Sequence, residues 1–485
     1  MAATVRSLPD GTLIAWAPQA GPQLALVTCP VFEVLYGGAR YGGKTDGFLG
    51  DFAIHAAMYG PNAHGVFLRR RAKGLDQVVQ RGLQIYGKIG ARWVGGSVSS
   101  FIFPNGATLK IRHLWSAKDA DLYQGHSYTR LYFEELTHWA TPDAYLMMLA
   151  TLRSPHGVPV GARASANPGG LGHEWVKARF VSPSPLGYKL LIDGETQTDR
   201  VFIPARIEDN PIGTHGDPNY KARLRATAPA HLRDAWMEGN WDIVPGGFFA
   251  DVWNPDRHIL SEATFNLNTM PMGWTYRRSF DWGWAKPASL GLWAISNGEQ
   301  PKGCKVHFPK GSAIRIGEWY TCKRQPNGLP EPNVGLKLSN AALGKGVWER
   351  SKGRSWRGCV ADPSMFVEAG GKSLINQMDE GAQAAAKAAG VKGGLLFSAA
   401  DNSRIPGWAL MHDMFEESGK ERAESPGLWT TERCTDFIRT VPSLMSDEKE
   451  PDDIDTESED HAGDESRYLC MSLGHKTRRV GIAGA

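Results

Sequence analysis

The chain is 485 residues long and carries 54 Lys+Arg against 51 Asp+Glu, a formal charge of +3. A single core stops growing at about 250–300 residues, so two domains are expected. With 42% apolar and 22% charged residues, the composition excludes a disordered or fibrous chain, and the longest apolar stretches fall far short of the roughly 18 residues that span a bilayer.

In chain order, residues 1–11 lack an apolar signal core, so a soluble, non-exported protein is expected. Val31-Phe32-Glu33-Val34-Leu35-Tyr36 is β-rich, a Gly-rich turn follows, and Phe48, Leu49, Phe52, Ala53 and Ala56 recur at helical spacing. Residues 31–58 are therefore expected to form strand, loop and helix. Val66-Phe67-Leu68 predicts a second strand, ending in Arg69-Arg70-Arg71, and Pro104-Asn105-Gly106 marks the turn of a hairpin. Leu131-Tyr132-Phe133 predicts an apolar strand that ends in paired carboxylates. Strands alternating with helices imply a mostly parallel sheet covered on both faces. The stretch 211–242, rich in Ala, Arg and Leu, predicts a small helical subdomain. Pro245-Gly246-Gly247 then opens a stretch of turn formers. The expected division is a first domain over 1–245, a linker over 246–270 and a second α/β domain over 271–485. Ala-rich 382–389 predicts a helix bounded by Gly381 and Gly390, and acidic 447–465 precedes a basic tail, 475–479.

Gly38-Ala39-Arg40-Tyr41-Gly42-Gly43-Lys44-Thr45 fits the phosphate-binding pattern G-x-x-x-x-G-K-[ST]. Small residues let backbone N–H groups surround phosphates, a lysine reaches the β/γ-phosphates, and a hydroxyl holds Mg²⁺. The predicted helix from Thr45 adds the positive end of its dipole. ATP with Mg²⁺ is the expected ligand pair, because no N-K-x-D guanine motif occurs. Glu134 and Glu135 follow an apolar strand. One carboxylate can organise the Mg²⁺ shell, and we assign that to Glu134, where an aspartate is usual; its neighbour, Glu135, can polarise the attacking water. The distance in sequence from Lys44 to Glu134 leaves room for an intervening strand. Ser165-Ala166-Asn167 ends a further strand-like stretch and can sense the γ-phosphate, or be an ordinary Asn-Pro turn. Gln19 and Gln23 can read the adenine edge or be plain loop residues. Arg40 can stabilise transition-state charge as an arginine finger in cis, or position phosphate or form a salt bridge.

In the second half, Asp281 opens a β-rich segment and Asp362 follows a strand-like Cys359-Val360-Ala361, while Asp460 and Asp464 lie four apart on one helix face. Three or four such groups can hold two divalent ions that clamp the oxygens of a phosphodiester. The six cysteines (Cys29, Cys304, Cys322, Cys359, Cys434, Cys470) include no Cys-x-x-Cys pair, so they read as buried thiols in a reducing cytosol.

These pieces together resemble the large subunit of a tailed-bacteriophage terminase, a DNA-packaging ATPase and nuclease. The resemblance runs from about Trp16 to Tyr468. It rests on Pro18-Gln19 and Pro22-Gln23, the loop at 37–45, Phe67-Leu68-Arg69-Arg70, Tyr123-Gln124-Gly125, and Leu131 to Leu136. Ser165 to Gly170, His173 to Lys177, Asp209-Asn210-Pro211, Gly239 to Asp242, Phe280 to Trp284, and Asp460-His461 with Asp464 and Arg467-Tyr468 complete it. It implies an α/β chain with a RecA-like P-loop ATPase domain and an RNase H-like nuclease domain. By motif match, Lys44 and Thr45 bind phosphate and Mg²⁺, Glu134 and Glu135 serve hydrolysis, and 165–167 couple hydrolysis to motion. Asp281, Asp362 and a third carboxylate, Asp464 or Asp460, hold nuclease metals (Mg²⁺, or Mn²⁺ in its place). The implied partners are double-stranded DNA, a portal protein, a small terminase subunit and further copies of the chain in a ring on the procapsid, in the host cytoplasm and away from any membrane. Arg69–Arg71 can pair with DNA phosphates or form a solvated turn. The rival readings are a helicase-like or repair ATPase without nuclease activity, a virion protein with a decayed loop, and a nuclease without a motor.

Overall fold

The computed structural model describes residues 14–474, apart from 195, 228–232, 243, 326–327, 370 and 448. The expectations for residues 1–11 and for the basic tail lie outside the described residues. Two compact units divide between Pro245 and Gly246. No helix among the described residues is long and apolar enough to cross a membrane.

The first unit is built on nine strands: β1 (Glu33–Gly38), β2 (His64–Arg69), β3 (Arg92–Val94), β4 (Ser100–Ile102), β5 (Thr108–His113), β6 (Arg130–Phe133), β7 (Gly161–Ala166), β8 (Leu191–Ile192) and β9 (Asp199–Ala205). They lie in the order β3-β4-β5-β2-β6-β7-β1-β9-β8. The six strands from β5 to β9 in that order run parallel, while β4 pairs antiparallel with β5 through the expected hairpin. Alternation along each strand feeds both faces. Val34, Tyr36, Phe67 and Tyr132 enter one core with Phe48 and Phe52 of helix Lys44–Tyr59. Leu35, Val66, Leu68, Leu131 and Phe133 enter the other with Trp139, Tyr145 and Phe180. β7 lies between β1, which leads into the phosphate-binding loop, and β6, which ends at the glutamates. That intervening strand is the RecA-like arrangement. Within 211–242 the described helices are Pro211–Gly216, Tyr220–Thr227 and Arg233–Met237, with Leu224 and Met237 packed on Ala39 and Ile207.

The second unit adds β10 (Ile259–Leu260), β11 (Thr275–Asp281), β12 (Ser289–Ile295), β13 (Ala313–Tyr320), β14 (Cys322–Arg324), β15 (Pro330–Gly335), β16 (Cys359–Ala361), β17 (Glu368–Ala369), β18 (Lys372–Ser373), β19 (Phe397–Ala399) and β20 (Leu428–Thr431). Its main sheet runs β10-β20-β13-β12-β11-β16-β19. β11, β12 and β13 form an antiparallel meander, and β16 and β19 continue in parallel from the β11 side. This is the RNase H-like order. Residues 246–270, expected as a linker, give Phe249, Leu260 and Phe265 to the buried cores of this unit; apolar side chains separated by turn formers show no periodicity to read. Gly381, expected to precede a helix over 382–389, sits inside helix Leu374–Ala388. A Cβ there would strike the carbonyl of Ala341, and one at Gly344 would strike that of Met378. The two glycines let this helix and helix Asn340–Arg350 approach backbone to backbone.

Candidate active sites

The phosphate-binding loop leaves β1 at Gly38 and enters helix Lys44–Tyr59 through Gly43, whose φ of 68° is left-handed. Lys44 Nζ donates to the Ala39 carbonyl at 2.6 Å and to Asn167 Oδ1 at 2.7 Å. Desolvation pushes its ammonium down to about 8, against the pull of Glu134 and Glu135; the charge of Arg40, exposed on the loop, adds to the lowering. The Thr45 hydroxyl donates to the Glu134 carboxylate. Burial raises the Glu134 carboxyl, with Arg69 and Thr45 opposing. Glu135 takes a left-handed backbone, φ 59°, uncommon for a residue with a Cβ and a form of strain found at functional sites. Its N–H donates to Ser165 Oγ at 3.3 Å.

β7 brings Ser165 and Asn167 between these groups. Asn167 receives Lys44 through its side chain, and its carbonyl accepts from Thr137 Oγ1 at 3.3 Å. Gln19 and Gln23, expected at the adenine edge, both reach the loop, and their amides are paired within the protein. Gln23 Nε2 donates to the Gly43 carbonyl at 3.0 Å, Gln19 Nε2 donates to Asn210 Oδ1 at 2.8 Å, and Gln19 Oε1 accepts from Ile212 N. Asn210 in turn donates to the Tyr41 carbonyl at 2.6 Å. Gly42 accepts from the Tyr36 hydroxyl at 2.8 Å.

Sequence reading missed Arg69 at this site. Its Nε lies 2.8 Å from Glu134 and its Nη2 2.9 Å from Glu135. The cause is register: Leu68 sits opposite Phe133 across the parallel β2–β6 pair, so the next residues, Arg69 and Glu134, emerge side by side. His138 Nδ1 lies 3.3 Å from Glu135 as a further neighbour.

In the second unit Asp281 ends β11 and Asp362 follows β16. The parallel pairing of Phe280 with Ala361 sets the two aspartates side by side. Asp362 caps the turn at Pro363–Phe366, accepting from the Ser364 N–H and hydroxyl, each at 2.8 Å. Helix His461–Ser472 carries Asp464 in its first turn and Asp460 as its N-cap. His461 Nδ1 lies 3.1 Å from Asp281 and its Nε2 3.0 Å from Asn333 Oδ1; the Tyr468 hydroxyl donates to Asp281 at 3.5 Å. Burial pushes the Asp281 carboxyl well up, and the charges of Asp464 and then Asp362 add to it. Burial and Asp464 likewise push Asp460 up to about 7, against His461. Asp464 is held by Arg467 at 2.8 Å, with Arg404 at 3.7 Å. Among the described residues no group of three His, Cys, Asp or Glu side chains is arranged to enclose a metal ion. Glu465, beside Asp464, points the other way and pairs with Arg315 and Ser279 where nothing is exposed. It pins the helix to the sheet.

Residues 35–253 match a family described as "Terminase large subunit, T4likevirus-type, N-terminal". That match places the N-terminal domain of a terminase large subunit in the first unit. No curated protein matches it. Among solved structures, the large terminase of a thermophilic bacteriophage is 16% identical, over 94% of this chain and 98% of that one, with a TM-score of 0.39. The bacteriophage HK97 large terminase is 14% identical over 97% of each chain, with a TM-score of 0.41. The nuclease domain of the P22 large terminase is 13% identical over 47% of this chain and 92% of that one, with a TM-score of 0.31. In this chain the first site gathers Gly38, Arg40, Gly42, Gly43, Lys44, Thr45, Glu134, Glu135 and Asn167 at neighbouring strand ends, with Gln19 and Gln23 bracing the loop. The second brings together Asp281, Asp362, Asp460 and Asp464.

Proposed function

We propose that the chain is the motor subunit that hydrolyses ATP to move double-stranded DNA into a procapsid, and that its second unit cuts the DNA concatemer. The observation that carries this reading is the meeting of three elements: Lys44 and Thr45 after β1, Asn167 after β7, and Glu134 and Glu135 after β6. In this reading the N–H groups around Gly38, Gly42 and Gly43 and the helix N-terminus face the phosphates of ATP. Thr45 and Glu134 would hold Mg²⁺, which screens phosphate charge when bound. Lys44 neutralises the β/γ-phosphates, Glu135 orients the attacking water and takes its proton, and Arg40 supplies charge to the transition state. Loss of the γ-phosphate reaches 165–167 through the Lys44–Asn167 and Glu135–Ser165 bonds.

Asp281, Asp362 and Asp464, with Asp460 beside them, would hold Mg²⁺ or Mn²⁺, and bound ions of this kind clamp the attacking and leaving oxygens of a phosphodiester. The donors suit such ions in kind, not yet in arrangement: every carboxylate is a hard oxygen donor, and the crowding that lifts Asp281 is what a cation would relieve. Asp464, paired here with Arg467, would give up that pair to hold a metal. A portal protein, a small terminase subunit and a ring of copies in the host cytoplasm belong to the same reading. Cleavage of supercoiled plasmid with Mg²⁺ or Mn²⁺, beside DNA-stimulated ATPase, tests it in wild type, Lys44→Ala and Asp281→Ala. Wild type and Lys44→Ala are expected to cut and Asp281→Ala not to. An intact plasmid with folded wild type in both metals would leave an ATPase without nuclease activity.

A further inference from the structure

A groove of about 560 Å³ opens in the first unit beside the end of β5. Its floor is cationic. Among the described residues Lys110 Nζ has one long hydrogen bond, 3.4 Å to the Tyr128 hydroxyl, and lies 5.6 Å from that ring's centroid. The Arg112 guanidinium is braced by the carbonyls of Ser97, Val98, Ser99 and Ile111, so its charge is fixed in place with no carboxylate against it among the described residues. The acid in the lining, Asp119, is turned to the Ser116 N–H at 2.9 Å. Phosphate groups suit such a floor.

The walls are aromatic. Trp115 is 48% exposed and has the guanidiniums of Arg70 and Arg71 at 4.7 and 5.6 Å from its ring centroid. Tyr123 lines the same groove with His126, which stacks on Tyr128 at 5.9 Å. A duplex keeps its base faces inside and offers these rings nothing to stack on, whereas an unpaired strand presents base faces and phosphates together. An acidic peptide would satisfy the cations and leave the rings in water.

We propose that this groove holds an unpaired DNA strand, with bases stacked on Trp115 and Tyr123 and phosphates against Lys110 and Arg112. The site goes beyond the ATPase and nuclease reading and does not depend on it.

Fluorescence anisotropy of the full chain with a labelled oligothymidylate of about 12 nucleotides, within the usual range of single-strand site sizes, tests it. Omitting ATP and adding a chelator keep hydrolysis and cleavage out of the readout, so failure of either leaves this result unaffected. Trp115→Ala and Tyr123→Ala are each expected to weaken strand binding about tenfold, as loss of one stacked base does. Neither should change duplex affinity, and Trp115→Phe should retain strand binding. Lys110→Ala should lower the slope of log affinity against log salt by about 0.7. Unchanged strand binding in both alanine variants overturns the proposal. Equal weakening for duplex overturns it in favour of a general DNA surface, and displacement of the strand by equimolar thymidine monophosphate overturns it in favour of a mononucleotide site.

Discussion

In the first unit, Glu134 and Glu135 share one guanidinium, Arg69, and Glu134 also takes the Thr45 hydroxyl. In the second, Asp281 meets His461 and Tyr468 instead of a guanidinium, and the charges of Asp464 and Asp362 press on it. The first site therefore keeps its carboxylates ordered without a ligand, by internal pairing. The second stores like charge in a desolvated place, an arrangement that favours binding of cations. Buried ion pairs divide the same way. Arg69 pairs with Glu134 and Glu135, the groups proposed to serve hydrolysis, whereas the Arg315–Glu465 pair fastens the helix that presents Asp460 and Asp464.

Mutations can separate the two sites. The largest effect is expected for Glu135→Gln, which should lower ATP turnover by about 10²–10⁴-fold, the share of a general base. Plasmid cleavage by that variant should match wild type in a gel assay. Asp281→Asn should do the reverse, cutting cleavage by roughly a hundredfold or more while phosphate release from ATP persists; equal loss of both activities would merge what the geometry keeps apart. Glu465→Gln leaves the buried Arg315 with Glu318, at 3.4 Å, as its remaining carboxylate and should cost up to about 3 kcal/mol, read as a lower urea midpoint for the second unit. Arg69→Ala frees both glutamates at once and should reduce turnover about tenfold through misplacement of Glu135, with nucleotide affinity nearly unchanged in a fluorescence titration.

The smallest effect concerns pH. Lys44 is charged below about 8 and neutral above it. Nucleotide affinity should therefore fall as pH rises through that value, by about tenfold for one lost charge-assisted hydrogen bond, and Lys44→Arg should flatten the profile. The linked stability has a fixed sign. The folded value lies below the ordinary 10.5, so between about 8 and 10.5 the unfolded chain binds the extra proton, and this group's contribution to stability rises with pH across that window.

Much of the first site was legible because its chemistry is contiguous. A phosphate cradle needs glycines, a lysine and a hydroxyl on successive residues, and Lys44 and Thr45 stand where that spacing puts them. Glu134 and Glu135 were legible for a similar reason, as polar residues at the end of an apolar strand. Arg69 was not, because it looked like one of three arginines on a turn and only the β2–β6 register turns it inward. Gln19 and Gln23 were read as candidates for the adenine edge; the fold pairs Gln23 with the Gly43 carbonyl and Gln19 with Asn210 and Ile212, which lie about 190 residues away in the chain. Gly381 read as the boundary before a helix because glycine interrupts helical runs; a close helix crossing put it mid-helix.

The sequence alone determined which strand ends carry the candidate residues, since motif spacing and two-residue alternation are properties of a local backbone. Tertiary structure decided which carboxylates are paired, which are crowded and which, like Glu465, serve only to hold a helix. It also built the groove at Lys110 and Trp115. Those outcomes depend on strand register and on desolvation, and both come from segments that meet only when the chain has folded.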